Sequence, residues 1–345
     1  MLARVARHIS DHGGWIPFAR YMELVLYEPG IGYYAGGAQK FGAQGDFVTA
    51  PELGTLFART LARQLKALEL PIVEFGAGSG ALAEALLAEH PFDYAILEPS
   101  AELRERQRRR LGGKVRFIEG VPEKIRGIVL ANEVLDAMPV HAVAWREAGI
   151  MERGVNAKLQ WEERPATGEL LAQAARIRVP VPYESEIGLA AQAWVRTVGE
   201  HLERGVMLIF DYGFPQREYY HPQRSTGTLM CHYRHRSHAD PFAHPGEQDV
   251  TAHVDFTAVA AAARDAGLDV LGYTTQAQFL VNCGITDVLG EIPGEDTLRY
   301  APVAAQAQKL LSSAEMGDLF KVLAVARGLG GPLLGFASGD RSHTL

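Results

Sequence analysis

The chain has 345 residues, of which 47% are hydrophobic and 22% charged, and its formal net charge is −7. That acidic balance argues against a general nucleic-acid binder. Two cysteines exclude a disulfide scaffold and fit a reducing compartment, and no apolar run approaches the roughly 20 residues that cross a bilayer.

A short amphipathic helix opens the chain. In the loop-rich stretch that follows, Gly30, Gly32, Gly36, Gly37, Gly42 and Gly45 are interleaved with Tyr27, Tyr33, Tyr34, Phe41 and Phe47. Such a segment cannot form a core alone; it suits a lid over a cleft, or packing on a neighbouring helix. Leu53, Leu56, Phe57, Leu61, Leu65 and Leu68 recur at helical spacing. Thr49 and Glu52 fit a capping box before them.

Strands are then predicted at 71–75, 94–97, 115–118 and 127–131, with helices at 80–89 and 101–111 between the first three. That alternation implies right-handed βαβ units and a parallel sheet. The basic run from Arg104 to Arg110, interrupted by Glu105 and Gln107, reads as the solvated face of its helix. Short strands at 140–145, 150–155 and 158–161 suggest an antiparallel insertion. A helix near 186–201 and a strand at 206–210 restore the α/β rhythm, and residues 212–250 are loop-rich. Asp255 caps a helix that runs to 267, and strands at 268–273 and 319–326 follow. The expected organisation is an α/β fold with an N-terminal cap or lid over 1–60. A core over 61–328 carries insertions at about 140–185 and 212–250, and 329–345 forms a flexible tail.

The chemistry concentrates at strand ends. Gly76-Ala77-Gly78-Ser79-Gly80 turns from a first strand into its helix, where backbone N–H groups approach a ligand closely. Glu98, about 20 residues on, suits two ribose hydroxyls. With Ala81, the turn also satisfies the dinucleotide form Gly-x-Gly-x-x-Ala. Glu74 separates the two possibilities: an acid two residues before the glycines favours a ligand with an ammonium group and repels a pyrophosphate. The segment Asn132-Glu133-Val134-Leu135-Asp136 likewise presents no donor of the kind a nicotinamide enzyme needs. S-adenosylmethionine is therefore preferred over NAD. Glu74, Gly78, Glu98, Glu119, Asn132, Glu133 and Asp211 all fall at predicted strand ends, where open α/β sheets bind ligands. Their acidity argues for a basic acceptor. Glu133 and Asp136 share a face if the segment coils, and together they suit a guanidinium held by bidentate hydrogen bonds. Asp136 also reads as a simple N-cap before the Met138-Pro139 turn.

At these residues the chain resembles the MidA-type, or NDUFAF-seven-type, methyltransferases. The matching segments are Leu26 to Pro29, Gly32 to Tyr34, Gly45 to Glu52, Glu74 to Gly80 and Glu98 to Ser100. They continue with Asn132 to Val140, Asp211 to Gly213, Asp249 to Phe256 and Met316-Gly317. The resemblance implies a class I, Rossmann-like core with a seven-stranded sheet whose last strand is antiparallel, and S-adenosyl-L-methionine as cofactor. It implies that Glu74, Gly76, Gly78, Gly80 and Glu98 bind the cofactor; Asn132 and Glu119, at predicted strand ends, are expected on that side too. Asp46, Thr49 and Pro51 would lie near it in the cap, and Asn132, Glu133 and Asp136 near the acceptor. Glu133, Asp136 and Asp46 form the expected catalytic group. The mitochondrial member assembles respiratory complex I and symmetrically dimethylates an arginine of one of its subunits, so the implied partner is a protein with an acceptor arginine. The N-terminus shows neither a signal core nor a transit extension, and the expected setting is the bacterial cytoplasm, with no nucleic acid or membrane as partner.

Two rival readings remain at this point. One is a cofactor-binding assembly factor or chaperone whose lid and insertion form a partner surface; the other is an NAD-dependent oxidoreductase. Cys231, His232, His235, His238, His244 and His253 gather in one region, but their spacing lacks the paired ligands of a structural zinc site. No metal is expected there, and the residues read as a loop over the cleft or against the sheet.

Overall fold

The computed structural model describes residues 1–36 and 49–345. Among these, seven strands form the path of the central sheet: β1 (Ile72–Phe75), β2 (Tyr94–Leu97), β3 (Arg116–Ile118), β4 (Ile125–Asn132), β5 (Leu202–Phe214), β6 (Asp269–Thr275) and β7 (Phe320–Arg327). Their order across the sheet is β6-β7-β5-β4-β1-β2-β3, with the short strand Val254–Asp255 paired to the end of β5. Strands β1 to β5 run parallel, and β7 is antiparallel to both β5 and β6. This is the class I methyltransferase arrangement.

The sheet is covered on both faces, which is why Ile128–Ala131 and Val206–Phe210 are continuous apolar runs without alternation. Helices Leu56–Leu68, Ala81–Glu89 and Gln276–Asn282 cover one face. Leu189–His201 and Phe256–Asp265 cover the other. A further layer sits over the carboxyl ends of the strands. There the helices Leu2–Asp11 and Phe18–Tyr27 share a core with the inserted antiparallel sheet. Trp15–Pro17 pairs with Gly149–Asn156, so the N-terminal segment and the insertion form one structure. Among the described residues no helix is long and apolar enough to cross a membrane.

Several expectations shift. The strand expected at 158–161 forms at Trp161–Pro165, because the Asn156 side chain accepts from the Lys158 and Gln160 amides (2.9 and 3.2 Å) and closes a turn first. Residues Tyr183–Ile187 extend the inserted sheet, so the helix expected from 186 starts at Leu189. The capping box is absent. Thr49 makes no side-chain cap bond, Ala50–Glu52 is a separate 3-10 turn, and the helix begins at Leu56. The Glu52 carboxylate instead accepts a hydrogen bond from Ser79 Oγ. Three helices between 276 and 311 had no sequence signal strong enough to be assigned.

The tail does not fray. Leu333 and Phe336 are buried, the Tyr273 amide donates to Asp340 Oδ1 (2.8 Å), and the Gly335 amide donates to Gln64 Oε1 (2.9 Å). Glycine and proline gave that segment a disordered look, but two buried apolar side chains and a ring of hydrogen bonds order it.

Candidate active site

One cavity of about 1090 Å³ opens at the carboxyl ends of β1, β2 and β4. Its walls come from the glycine turn, the loops after β2 and β4, the 27–35 and 49–52 segments, and Tyr212, His232, Asp249 and Thr251.

On one side lies the glycine turn. Gly76, Gly78 and Gly80 have φ of 63°, 53° and 80°. Only glycine adopts that region freely. A Cβ at Gly76 would also meet Val134 Cγ2 at 3.2 Å. The Gly76 amide is tied to Leu97 O (3.0 Å). Gly80 is the residue before helix Ala81–Glu89 and packs towards Gln107 and Leu111 rather than lining the cavity.

Glu98, at the end of β2, is 5% exposed, and both its oxygens are oriented from behind. Oε1 accepts from the Ser100 amide (3.0 Å) and Oε2 from Gln107 Nε2 (3.0 Å). Gln107 Nε2 also donates to Gly78 O (2.9 Å), locking the carboxylate to the glycine turn. Burial raises the Glu98 pKa, and the hydrogen bonds from Ser100 and Gln107 oppose it. A carboxylate has about four lone-pair sites, so both oxygens can still accept from a diol in the cavity. Glu74 is buried in β1 and accepts from the Tyr94 hydroxyl (2.9 Å). Burial pushes its carboxyl up to about 8, against the pull of that hydrogen bond. Burial therefore favours the protonated form of Glu74, and a nearby cation would favour the ionised one. Thr49 and Pro51 line the cavity; Asp46 lies outside the described residues. Glu119 is exposed and only its neighbours Gly120 and Val121 reach the cavity wall.

On the other side, β4 ends at Asn132 and the chain turns sharply. Glu133 has φ of 53°, a left-handed conformation that a non-glycine residue adopts at a cost. Its carboxylate accepts from Asn132 Nδ2 (3.1 Å). Burial pushes it up to about 8, helped by the neighbouring charge of Asp136. Asp136 is 6% exposed and its carboxyl is raised well above the ordinary range, by burial and then by Asp211 and Asp249. Among the described residues its Oδ1 has no hydrogen-bond partner, and neither has Asn132 Oδ1. An unpaired buried acceptor costs about 1–3 kcal/mol; at a cavity wall it marks a place for a donor. The 27–35 segment closes over this side. Tyr27 and Tyr34 stack at 5.5 Å, the Tyr27 hydroxyl donates to Ala137 O (2.7 Å), and the Tyr34 hydroxyl donates to Asp249 Oδ1 (2.9 Å).

Thus the structure brings Glu74, Gly76, Gly78, Glu98, Asn132, Thr49 and Pro51 around one cavity with Glu133 and Asp136, and leaves Gly80 and Glu119 off its wall. Gln107 and Asp249 escaped the sequence reading. Gln107 had a signal: Leu103, Gln107 and Leu111 are spaced by four and form the buried stripe of their helix, so the residue that seemed to interrupt a charge run belongs to the packed face. Cys231, in the histidine-rich region, is buried in the core shared by the cap and the insertion.

Left-handed glycines that admit a close approach, an oriented carboxylate for a diol, and a buried acid for an ammonium fit S-adenosylmethionine. The known proteins agree. The family model of putative S-adenosyl-L-methionine-dependent methyltransferases matches residues 56–274. A Burkholderia thailandensis protein, in a crystal structure bound to S-adenosyl-homocysteine, has a TM-score of 0.95 at 51% identity, covering 100% of this chain and 96% of that one. A native crystal structure of a protein from the same organism gives 0.93 at 50% identity, with the same coverage. The Drosophila melanogaster mitochondrial protein arginine methyltransferase NDUFAF7 homolog is 29% identical over 92% of this chain and 82% of its own length. The human NDUFAF7 is 26% identical over 90% and 80%.

Fold and site define a class I methyltransferase that uses S-adenosyl-L-methionine. Within that class, the chain belongs to the MidA or NDUFAF7-type family.

Proposed function

We propose that this enzyme methylates an arginine side chain of a protein in the bacterial cytoplasm, with symmetric dimethylarginine as product. The observation that carries the reading is the carboxylate group opposite the cofactor side: Glu133 and Asp136, with Asp211 and Asp249 behind them and Asp136 Oδ1 unpartnered among the described residues. The names of the mitochondrial relatives as protein arginine methyltransferases support the same acceptor.

S-adenosylmethionine supplies a methyl group already activated by its sulfonium. The glycine turn, Glu98 and Glu74 would hold it, at its nucleotide and ammonium ends respectively. The chain's own task is then to place a nitrogen in line with that methyl; such positioning is worth up to about 7–11 kcal/mol of barrier. Without a cation, Glu133 is pushed up to about 8 by burial and by Asp136, so the acceptor side tends to hold protons. An arriving guanidinium favours ionised carboxylates and gains charge-assisted hydrogen bonds from them. Glu133 then fixes one guanidinium nitrogen; as the N–C bond forms, the methyl's bond to sulfur breaks, its electron pair stays on the departing S-adenosylhomocysteine, and Glu133 accepts the proton released from nitrogen.

Mass spectrometry of methylarginine sites in cells with and without the gene tests the reading. The expected result is a symmetric dimethylarginine that disappears with the gene. No change in any methylarginine site would overturn it.

A further inference from the structure

The carboxylate of Asp211 has no place in the steps above, yet it is the most enclosed acid near them. It lies in β5, wholly buried, one residue past Phe210, which pairs with Asn132 at the end of β4. Its Oδ2 accepts from the amides of Val134 (3.2 Å), Leu135 (2.8 Å) and Asp136 (3.3 Å), and its Oδ1 from the Tyr212 amide (2.9 Å). Three successive amides converging on one oxygen form an anion nest. The Glu133 amide donates to Phe210 O (2.8 Å), so the loop is tied to β5 on both sides of the left-handed residue.

From this geometry we infer that Asp211 is a positioning residue: its carboxylate holds the 134–136 backbone and thereby fixes the strained turn that aims Glu133 and Asp136 into the cavity. The left-handed turn at Glu133 would relax if its neighbours were free. Four N–H donors on one buried carboxylate supply the restraint. They also explain how the acid is tolerated with no cation bonded to it among the described residues: Lys321, its partner in register on β7, turns its ammonium to the carbonyls of Asp318 and Leu319. The groups that face Asp211 are Glu133 and Asp136 from the loop, Tyr212 from its own strand, and Asp249 behind Asp136. The role holds for any acceptor, so it does not depend on arginine.

The test compares Asp211→Asn with wild type. The readouts are S-adenosyl-homocysteine affinity, thermal midpoint, and labelled methyl incorporated into protein extract from cells lacking the gene. Incorporation at saturating cofactor should fall by about tenfold to a hundredfold, the cost of a misplaced group, while cofactor affinity and melting change little. The acid limb of the pH–rate profile should also move to lower pH, because one charge that raises Asp136 is gone. A role in folding alone would not move that limb. Wild-type incorporation, or a profile that keeps its acid limb, would overturn the assignment. If the variant does not fold, amide resonances of wild-type protein decide. Those of Val134, Leu135 and Asp136 should shift together with one shared midpoint, because all three amides donate to the same Asp211 oxygen. Three independent midpoints would overturn the proposal.

Discussion

The two sides of the cavity are built by opposite means. On the cofactor side, polar groups have partners supplied within a short stretch of chain: Ser100 and Gln107 hold Glu98, and Tyr94 holds Glu74. The geometry is preorganised before anything binds. On the side proposed for the acceptor, carboxylates from three distant segments, at 133–136, 211 and 249, are pressed together, and burial with their neighbours' charge raises Glu133, Asp136 and Asp211. Backbone amides partly compensate them, and Asp136 keeps an oxygen without a partner among the described residues. One side is complete as it stands; the other holds electrostatic tension that the proposed cationic acceptor would relieve. This contrast predicts that the two sides can be damaged separately.

The largest separable effect should come from Glu133→Gln. Methyl incorporation into extract from cells lacking the gene should drop about a hundredfold, as expected when an orienting group and proton acceptor is lost. S-adenosyl-homocysteine affinity should hardly move. A parallel loss of affinity would mean that the two sides are one unit. Next comes Glu98→Ala, which removes charge-assisted hydrogen bonds worth about 1.5–3 kcal/mol, or roughly ten- to a hundredfold in affinity by calorimetry. Unchanged affinity would move the cofactor's diol elsewhere in the cavity.

The smallest effect is a pH dependence. Glu74 is pushed up to about 8 by burial, and only its ionised form attracts an ammonium. The ionised fraction rises with pH up to that value, so S-adenosyl-homocysteine affinity should increase between pH 7 and 8 by less than about tenfold. Glu74→Gln should flatten the slope. A slope that survives in the variant would assign the proton to another group, with Glu133 the next to test.

Legibility followed the same division. Glu74, the glycine turn and Glu98 lie within 25 residues, and the rhythm of strand, turn and helix placed them correctly at strand ends. Glu133 and Asp136 were legible as a pair, but the left-handed turn that presents them was not, since no glycine announced it. Gln107 was hidden in a charge run, and its buried spacing became plain only once the helix had a packed face. Thr49 and Glu52 satisfied a local capping pattern that the fold discarded, because Ser79 offered Glu52 a partner across space.

What the sequence determined by itself is whatever chain-local physics controls: alternation of apolar strands with helices, glycines where φ must be positive, and acids at the ends of buried strands. Tertiary structure decided which acids meet. Tyr34 reaches Asp249 and Asp211 reaches the 134–136 amides only because β4 and β5 are neighbours and the cap folds over their ends. The pKa values and the unpartnered oxygen arise from desolvation and through-space charge. Those depend on distance in the folded molecule, and distance along the chain does not report it.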